Sequence, residues 1–101
     1  MNIRDIGGFH WDGANREKNW LTHRVAWFES EQAFFNDPLF IDPDITHSKN
    51  EERFSALGRT NSNRLLFISF TIRHNFIRII SARPMSRAER RFYEKSFKEN
   101  T

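Results

Sequence analysis

The chain has 101 residues, no cysteine, 16 Lys+Arg against 13 Asp+Glu, and 15% aromatic residues. That length suits one compact domain over 1–101, and the missing cysteine excludes disulfides, a thiol nucleophile and cysteine zinc sites. The longest uncharged stretch of the apolar region, Leu65 to Ile72, is far short of the ~18–20 residues of a membrane span. Residues Met1 to Asp5 hold no apolar run of the signal-peptide kind, so the expectation is a soluble cytoplasmic protein with no membrane partner.

Leu, Ile, Val and Phe together number 26, of which 11 are Phe. This exceeds the ~20% below which chains tend to stay disordered, so a core is expected. Charge divides the chain. Residues 1–52 carry 5 basic and 10 acidic side chains, a net of −5, and residues 53–101 carry 11 basic and 3 acidic, a net of +8. Arginine makes up 12 of the 16 basic residues, which suits bidentate phosphate contacts. The asymmetry fits a polyanion partner. It fits equally an acidic half that folds onto the basic half and cancels it.

In chain order, Phe9-His10-Trp11 reads as a short strand, and Asp12 as the N-cap of a helix running to about Leu21. A second helix is predicted from Trp27 to Phe35, with Trp27, Phe34 and Phe35 near one side, ended by Asn36-Asp37-Pro38. Leu39-Phe40-Ile41 is a short strand and Asp42 to Asn50 a loop. Strands follow at Arg53–Arg59, Arg64–Arg73 and Phe76–Arg83, joined by turn chemistry at Thr60-Asn61-Ser62-Asn63 and by a two-residue hairpin loop at His74-Asn75. That loop pairs Arg73 with Phe76, Thr71 with Arg78, and Ser69 with Ile80. Leu66, Ile68, Phe70, Ile72, Ile77 and Ile79 then share the core face, while Ser69, Thr71, Arg73 and Arg78 face solvent or a ligand. Ser86 and Glu89 have capping-box spacing, so a basic last helix starts there, with Ala88, Phe92 and Ser96 on one stripe and Tyr93 and Phe97 beside it. The order β-α-α-β-β-β-β-α describes an α+β fold around a small, mostly antiparallel sheet.

His10, His23, His47 and His74 show no paired metal-ligand spacing, no glycine-flanked serine suggests an acyl-transfer nucleophile, and Gly7-Gly8 lacks a following Gly-Lys-Ser/Thr. No cofactor or metal is expected. The positive signal is Arg53, Arg59, Arg78 and Arg83 at strand positions. RNA cleavage without a metal needs a base for the 2′-hydroxyl, an acid for the leaving oxygen, and cations for the charge developing on phosphorus. Arginine meets the last need, and Glu52 and His23 are the candidate proton carriers. Taken singly, each strand arginine is more commonly a surface cation or a partner of Glu51, Glu89 or Glu94.

The residues also resemble a family, that of the BrnT toxins of type II toxin–antitoxin systems. The resemblance rests on Phe9-His10-Trp11-Asp12; on Asn15-Arg16-Glu17-Lys18-Asn19-Trp20 leading to His23 and Val25; on Glu52-Arg53-Phe54 with Ala56-Leu57-Gly58-Arg59-Thr60; and on Ile77-Arg78-Ile79-Ile80-Ser81-Ala82-Arg83 followed by Met85-Ser86 and Glu89-Arg90-Arg91. It implies a RelE-like fold and a ribonuclease that stops translation. It also implies a DNA-binding BrnA-type antitoxin that masks the toxin in a heterotetramer and autoregulates the operon. In this reading Arg78 and Arg83 stabilise the reacting phosphate, Arg53, Arg59 and Lys18 bind RNA, and Glu52 or His23 moves protons. The family commonly has a lysine before the histidine and often a glycine after it; this chain has Thr22 and Arg24. The rivals are a non-catalytic basic-sheet binding module and an inactive toxin-like subunit kept for operon control.

Overall fold

A computed structural model describes residues 6–99, with side chains up to Ser96. The elements are α1 (Gly13–His23), α2 (Trp27–Ala33), β1 (Phe40–Pro43), a 3₁₀ turn (Ile45–His47), β2 (Arg53–Arg59), β3 (Leu65–Arg73), β4 (Phe76–Pro84) and α3 (Arg87–Glu99). The four strands form one antiparallel sheet in the order β1-β2-β3-β4. The fold is α+β, in the predicted order. The opening strand is one parallel bridge, Phe9 to Ile77, flanked by backbone bonds from Gly7 N to Asn75 O (2.7 Å) and from His10 N to Ile77 O (2.9 Å).

Local chemistry sets the helix ends. Asp12 accepts from Asn15 N at 2.7 Å and so starts α1. Arg24 ends it in the left-handed region (φ 56°, ψ 37°), its N–H returning to the carbonyls of Asn19 and Trp20. Ser86 and Glu89 exchange the two bonds of a capping box at 2.7 and 3.2 Å. Helix α2 stops at Ala33, earlier than predicted. Phe34 therefore turns inward, whereas Phe35 is 79% exposed rather than on the packed side. The predicted stripe of α3 also shifts: Tyr93 is buried, donating to Pro38 O at 2.6 Å, while Phe92 stays half exposed. The Phe97 and Lys98 side chains lie outside the described residues.

The core lies between one sheet face and the first two helices. Val25, Ala33 and Phe34 meet Ala56, Leu66, Ile68, Phe70, Ile77, Ile79 and Ala82 there. Each large aliphatic side chain fully buried in this layer contributes about 1.5–3 kcal/mol. Gly58 permits the close approach, since a β-carbon there would sit 2.9 Å from Ala33 O. Ile72 joins as a half-buried neighbour.

The β3–β4 hairpin closes through His74 and Asn75, both with positive φ, and pairs Arg73 with Phe76 and Thr71 with Arg78 as predicted. Beyond that the register departs from expectation. Phe70 pairs with Ile79 but Ser69 with Ser81, so Ile80 is the extra residue of a bulge. The cause is long-range. Helix α1 runs along the free edge of β4, where Asn15 donates to Ile79 O (2.8 Å), Lys18 donates to Ile80 O, and Asn19 accepts from Ala82 N (3.1 Å). These side chains satisfy edge groups that would otherwise stay open. Thr71, expected to face solvent or a ligand, is buried, and its hydroxyl donates to Glu52 O at 2.8 Å.

Candidate functional site

Directly paired residues share a face, so the register also defines the face away from the two-helix layer. One row is Arg53–Thr71–Arg78, the next Asp42–Ser55–Ser69–Ser81, and the next Phe40–Leu57–Phe67–Arg83, with Arg59–Leu65 beyond. All four strand arginines singled out from the sequence lie on this face. Serines form the floor between them. Neighbouring strands are ~4.8 Å apart, so Arg53 and Arg78 stand about 10 Å apart across Thr71. Arg83 lies four β3 residues further along, about 13 Å away.

The two ends of this face differ in how their arginines are held. At the Arg53 end, Arg78 donates to Asp12 Oδ2 (2.9 Å) and to His10 Nδ1 (3.3 Å). The Arg78 bond, helped by Asn15 N–H, holds the Asp12 carboxyl below its ordinary value. Arg73 forks onto Glu51 at 2.6 and 3.1 Å. That contact lowers the Glu51 carboxyl, with Arg53 and Arg78 adding to the effect, and raises Arg73. Arg53 itself makes no side-chain hydrogen bond or ion pair among the described residues. With Arg73 and Glu51 it lines a cleft of about 620 Å³, shared with Thr46, His47, Lys49 and Asn50.

At the other end, Arg83 is committed. It forks onto Glu89 at 2.8 and 3.0 Å, donates to Pro84 O, and lies over the Phe67 ring at 4.2 Å. This pairing, first among several causes, lowers the Glu89 carboxyl. Arg59 donates to Asp37 O (2.7 Å) and Asn63 Oδ1 (3.0 Å). Lys18 serves the bulge carbonyl of Ile80.

The structure separates the two proton-carrier candidates. The Glu52 carbonyl is bonded to Thr71, whereas the His23 carbonyl accepts from Arg64 at 3.3 Å, as the Arg24 carbonyl does at 2.7 Å. Arg64, the residue before β3, and Thr71 are seven positions apart, on the order of 20 Å. The Glu52 backbone therefore lies at the Arg53 and Arg78 end, and that of His23 at the opposite end of the sheet. The sequence reading missed Arg64, which ties the end of α1 to Glu29 of α2 at 3.2 Å. It also did not single out His10, which accepts from Arg78, or His47, which lines the cleft. Their signals were present: His10 lies two residues before the cap Asp12, and His47 three after Asp44.

Among the described residues no three His, Cys, Asp or Glu side chains converge as metal ligands, and no helix is long and apolar enough to cross a membrane. The family model for the ribonuclease toxin BrnT of type II toxin–antitoxin systems matches residues 11–89. The chain belongs to the BrnT family. That membership makes it a ribonuclease toxin whose system includes a protein antitoxin. The match runs from the residue before the α1 cap to the Glu89 that holds Arg83, so it includes all four arginines of the open face. No curated protein matches the chain.

Proposed function

We propose that this toxin is a metal-independent endoribonuclease that cuts RNA in the cytoplasm and so halts translation, with the whole of 1–101 acting as one toxin domain. The observation that carries this reading is the shared face of Arg53, Arg78, Arg83 and Arg59, floored by small hydroxyl side chains. RNA lies across that face. Arg53 and Arg78, straddling Thr71, hold the phosphate being cut and stabilise the charge that develops on it. Arg83 and Arg59, about 13 Å or more away, stay with Glu89 and with Asp37 and Asn63 and add positive charge along the path of the strand. Lys18 gives RNA a contact only by leaving Ile80. Glu52 is the proton-carrier candidate whose backbone lies at this end, and His23, at the far end, has a structural place. The donor set supports metal independence: guanidinium groups stand where a metal would otherwise neutralise phosphate. A BrnA-type DNA-binding antitoxin masks the arginine face in a heterotetramer, because that face would otherwise bind RNA indiscriminately and with strong salt dependence.

Purified toxin incubated with RNA in EDTA tests the reading, and discrete fragments are the expected result. Intact RNA, with binding retained, would favour a non-catalytic basic-sheet module or an inactive subunit of operon control. A toxin–antitoxin complex should bind RNA more weakly than free toxin at the same ionic strength; equal affinity contradicts masking.

A further inference from the structure

We propose that His47, oriented by Asp44, is the base that removes the 2′-hydroxyl proton of RNA bound in the cleft beside Arg53 and Arg73. This rests on the ribonuclease reading and supplies the proton carrier for it. The 3₁₀ turn between β1 and β2 brings His47 Nδ1 to 2.8 Å from Asp44 Oδ2. The turn is built onto the start of β2. Asp44 N donates to Arg53 O (2.8 Å), the Ser48 hydroxyl donates to Asp44 O (2.6 Å), and Arg53 N donates to that same hydroxyl (2.9 Å). The dyad is therefore fixed to the backbone of Arg53, whose side chain lines the cleft.

The chemistry distinguishes His47 from the other imidazole near this end. A guanidinium only donates, so His10 Nδ1 must accept from Arg78, and its remaining nitrogen in the neutral ring is an N–H. It has no lone pair left for a proton. In His47 the carboxylate accepts from Nδ1–H, so Nε2 carries the lone pair, and it makes no hydrogen bond among the described residues. The ring lines the 620 Å³ cleft, a volume suited to a small ligand or a nucleotide. The charged groups facing it are Lys49, Arg53 and Arg73 against Asp44 and Glu51, three cations to two carboxylates, which favours a phosphodiester.

In the step, the 2′-hydroxyl gives its proton to Nε2 as O2′ bonds to phosphorus. The P–O5′ bond breaks, and O5′ takes a proton from solvent. The products are a 2′,3′-cyclic phosphate and a 5′-hydroxyl end. The imidazolium then returns its proton to solvent, so no co-reactant is consumed. Arg53 holds the non-bridging oxygens.

The test is single-turnover cleavage of an RNA oligonucleotide in EDTA between pH 5 and 9, for the parent and for His47→Gln, His47→Ala and Asp44→Asn. Circular dichroism of each variant checks folding, and affinity for a 2′-deoxy analogue checks binding. His47→Gln should slow cleavage by about 10²–10³-fold with binding kept, and should abolish the rise of rate with pH. Added imidazole should partly restore His47→Ala. Asp44→Asn, a positioning change, should slow cleavage by roughly tenfold or more and shift the pH profile. A His47→Gln rate within threefold of the parent, with the same pH profile, overturns the assignment and leaves the ribonuclease reading intact. A parent that cuts no RNA overturns both.

Discussion

The two ends of the open sheet face carry the same residue type and use it differently. At the Arg83 end, guanidinium groups complete the fold: Arg83 locks Glu89, which caps α3, and Arg64 gathers the last carbonyls of α1 and the Glu29 carboxylate. At the Arg53 end, Arg78 holds the half-exposed Asp12, Arg73 holds the partly exposed Glu51, and Arg53 lines an open cleft. An arginine held by shielded partners stabilises; one whose carboxylate is half exposed, as Arg78's is, or that lines the cleft, as Arg53 does, is placed to bind. Position in the sequence does not separate these roles. The partner does.

The largest expected effect falls on the binding end. Arg78→Ala should lower single-turnover cleavage by two to three decades, on the order of 2–4 kcal/mol of transition-state stabilisation, and relieve growth inhibition at equal abundance. Its melting temperature should change little, since Asp12 keeps its capping bond to Asn15. Full toxicity of Arg78→Ala at equal abundance would remove Arg78 from the site.

Arg83→Ala should do the reverse. Losing a bidentate contact to Glu89 is expected to destabilise by about 1–2 kcal/mol, read by chemical denaturation. Its pH dependence has a definite sign. Arg83 lowers the folded-state Glu89 carboxyl from its ordinary 4.5. The parent's advantage over Arg83→Ala is therefore complete above that value and shrinks as pH falls through the lowered one. An advantage equally large at pH 3 and pH 7 would show that the ion pair is not its source.

The smallest effects concern the end of α1. Arg24 occupies a left-handed position where glycine pays no steric cost, so Arg24→Gly should stabilise by about 0.5–1 kcal/mol, less whatever its contact with the Trp20 ring contributes. Thr22→Lys should gain a few tenths of a kcal/mol from the helix dipole. Position 22 lies at the Arg64 end, so cleavage should stay within about twofold. A clear rise in cleavage with Thr22→Lys would place chemistry at the end assigned here to structure.

What was legible in the sequence was local. The Asp12 cap, the Ser86–Glu89 box and the His74-Asn75 turn each need only residues within one helical turn or one hairpin, and each stands where the pattern put it. Alternation puts Arg53 and Arg59, six positions apart, on one face, but Arg78 and Arg83 are five apart and share that face only because of the Ile80 bulge. Two features were not legible. The bulge at Ile80 depends on Lys18 and Asn19, more than sixty residues earlier in the chain, serving the β4 edge. The separation of Glu52 from His23 depends on α1 running the length of β4. Asp44 and His47 were read as part of a polar loop, because a one-turn spacing marks a dyad only once a turn is known to be there.

The most direct measurement is an NMR titration of the toxin with an uncleavable 2′-deoxy oligonucleotide, following backbone amides and arginine Nε–H resonances. The largest shifts are expected at Arg53, Thr71, Arg73 and Arg78 and in the 44–48 turn, with the Arg83–Glu89 pair kept. Largest shifts at Arg59, Arg83 and α3, with the Arg53 end unmoved, would contradict the assignment of binding to the Arg53 end.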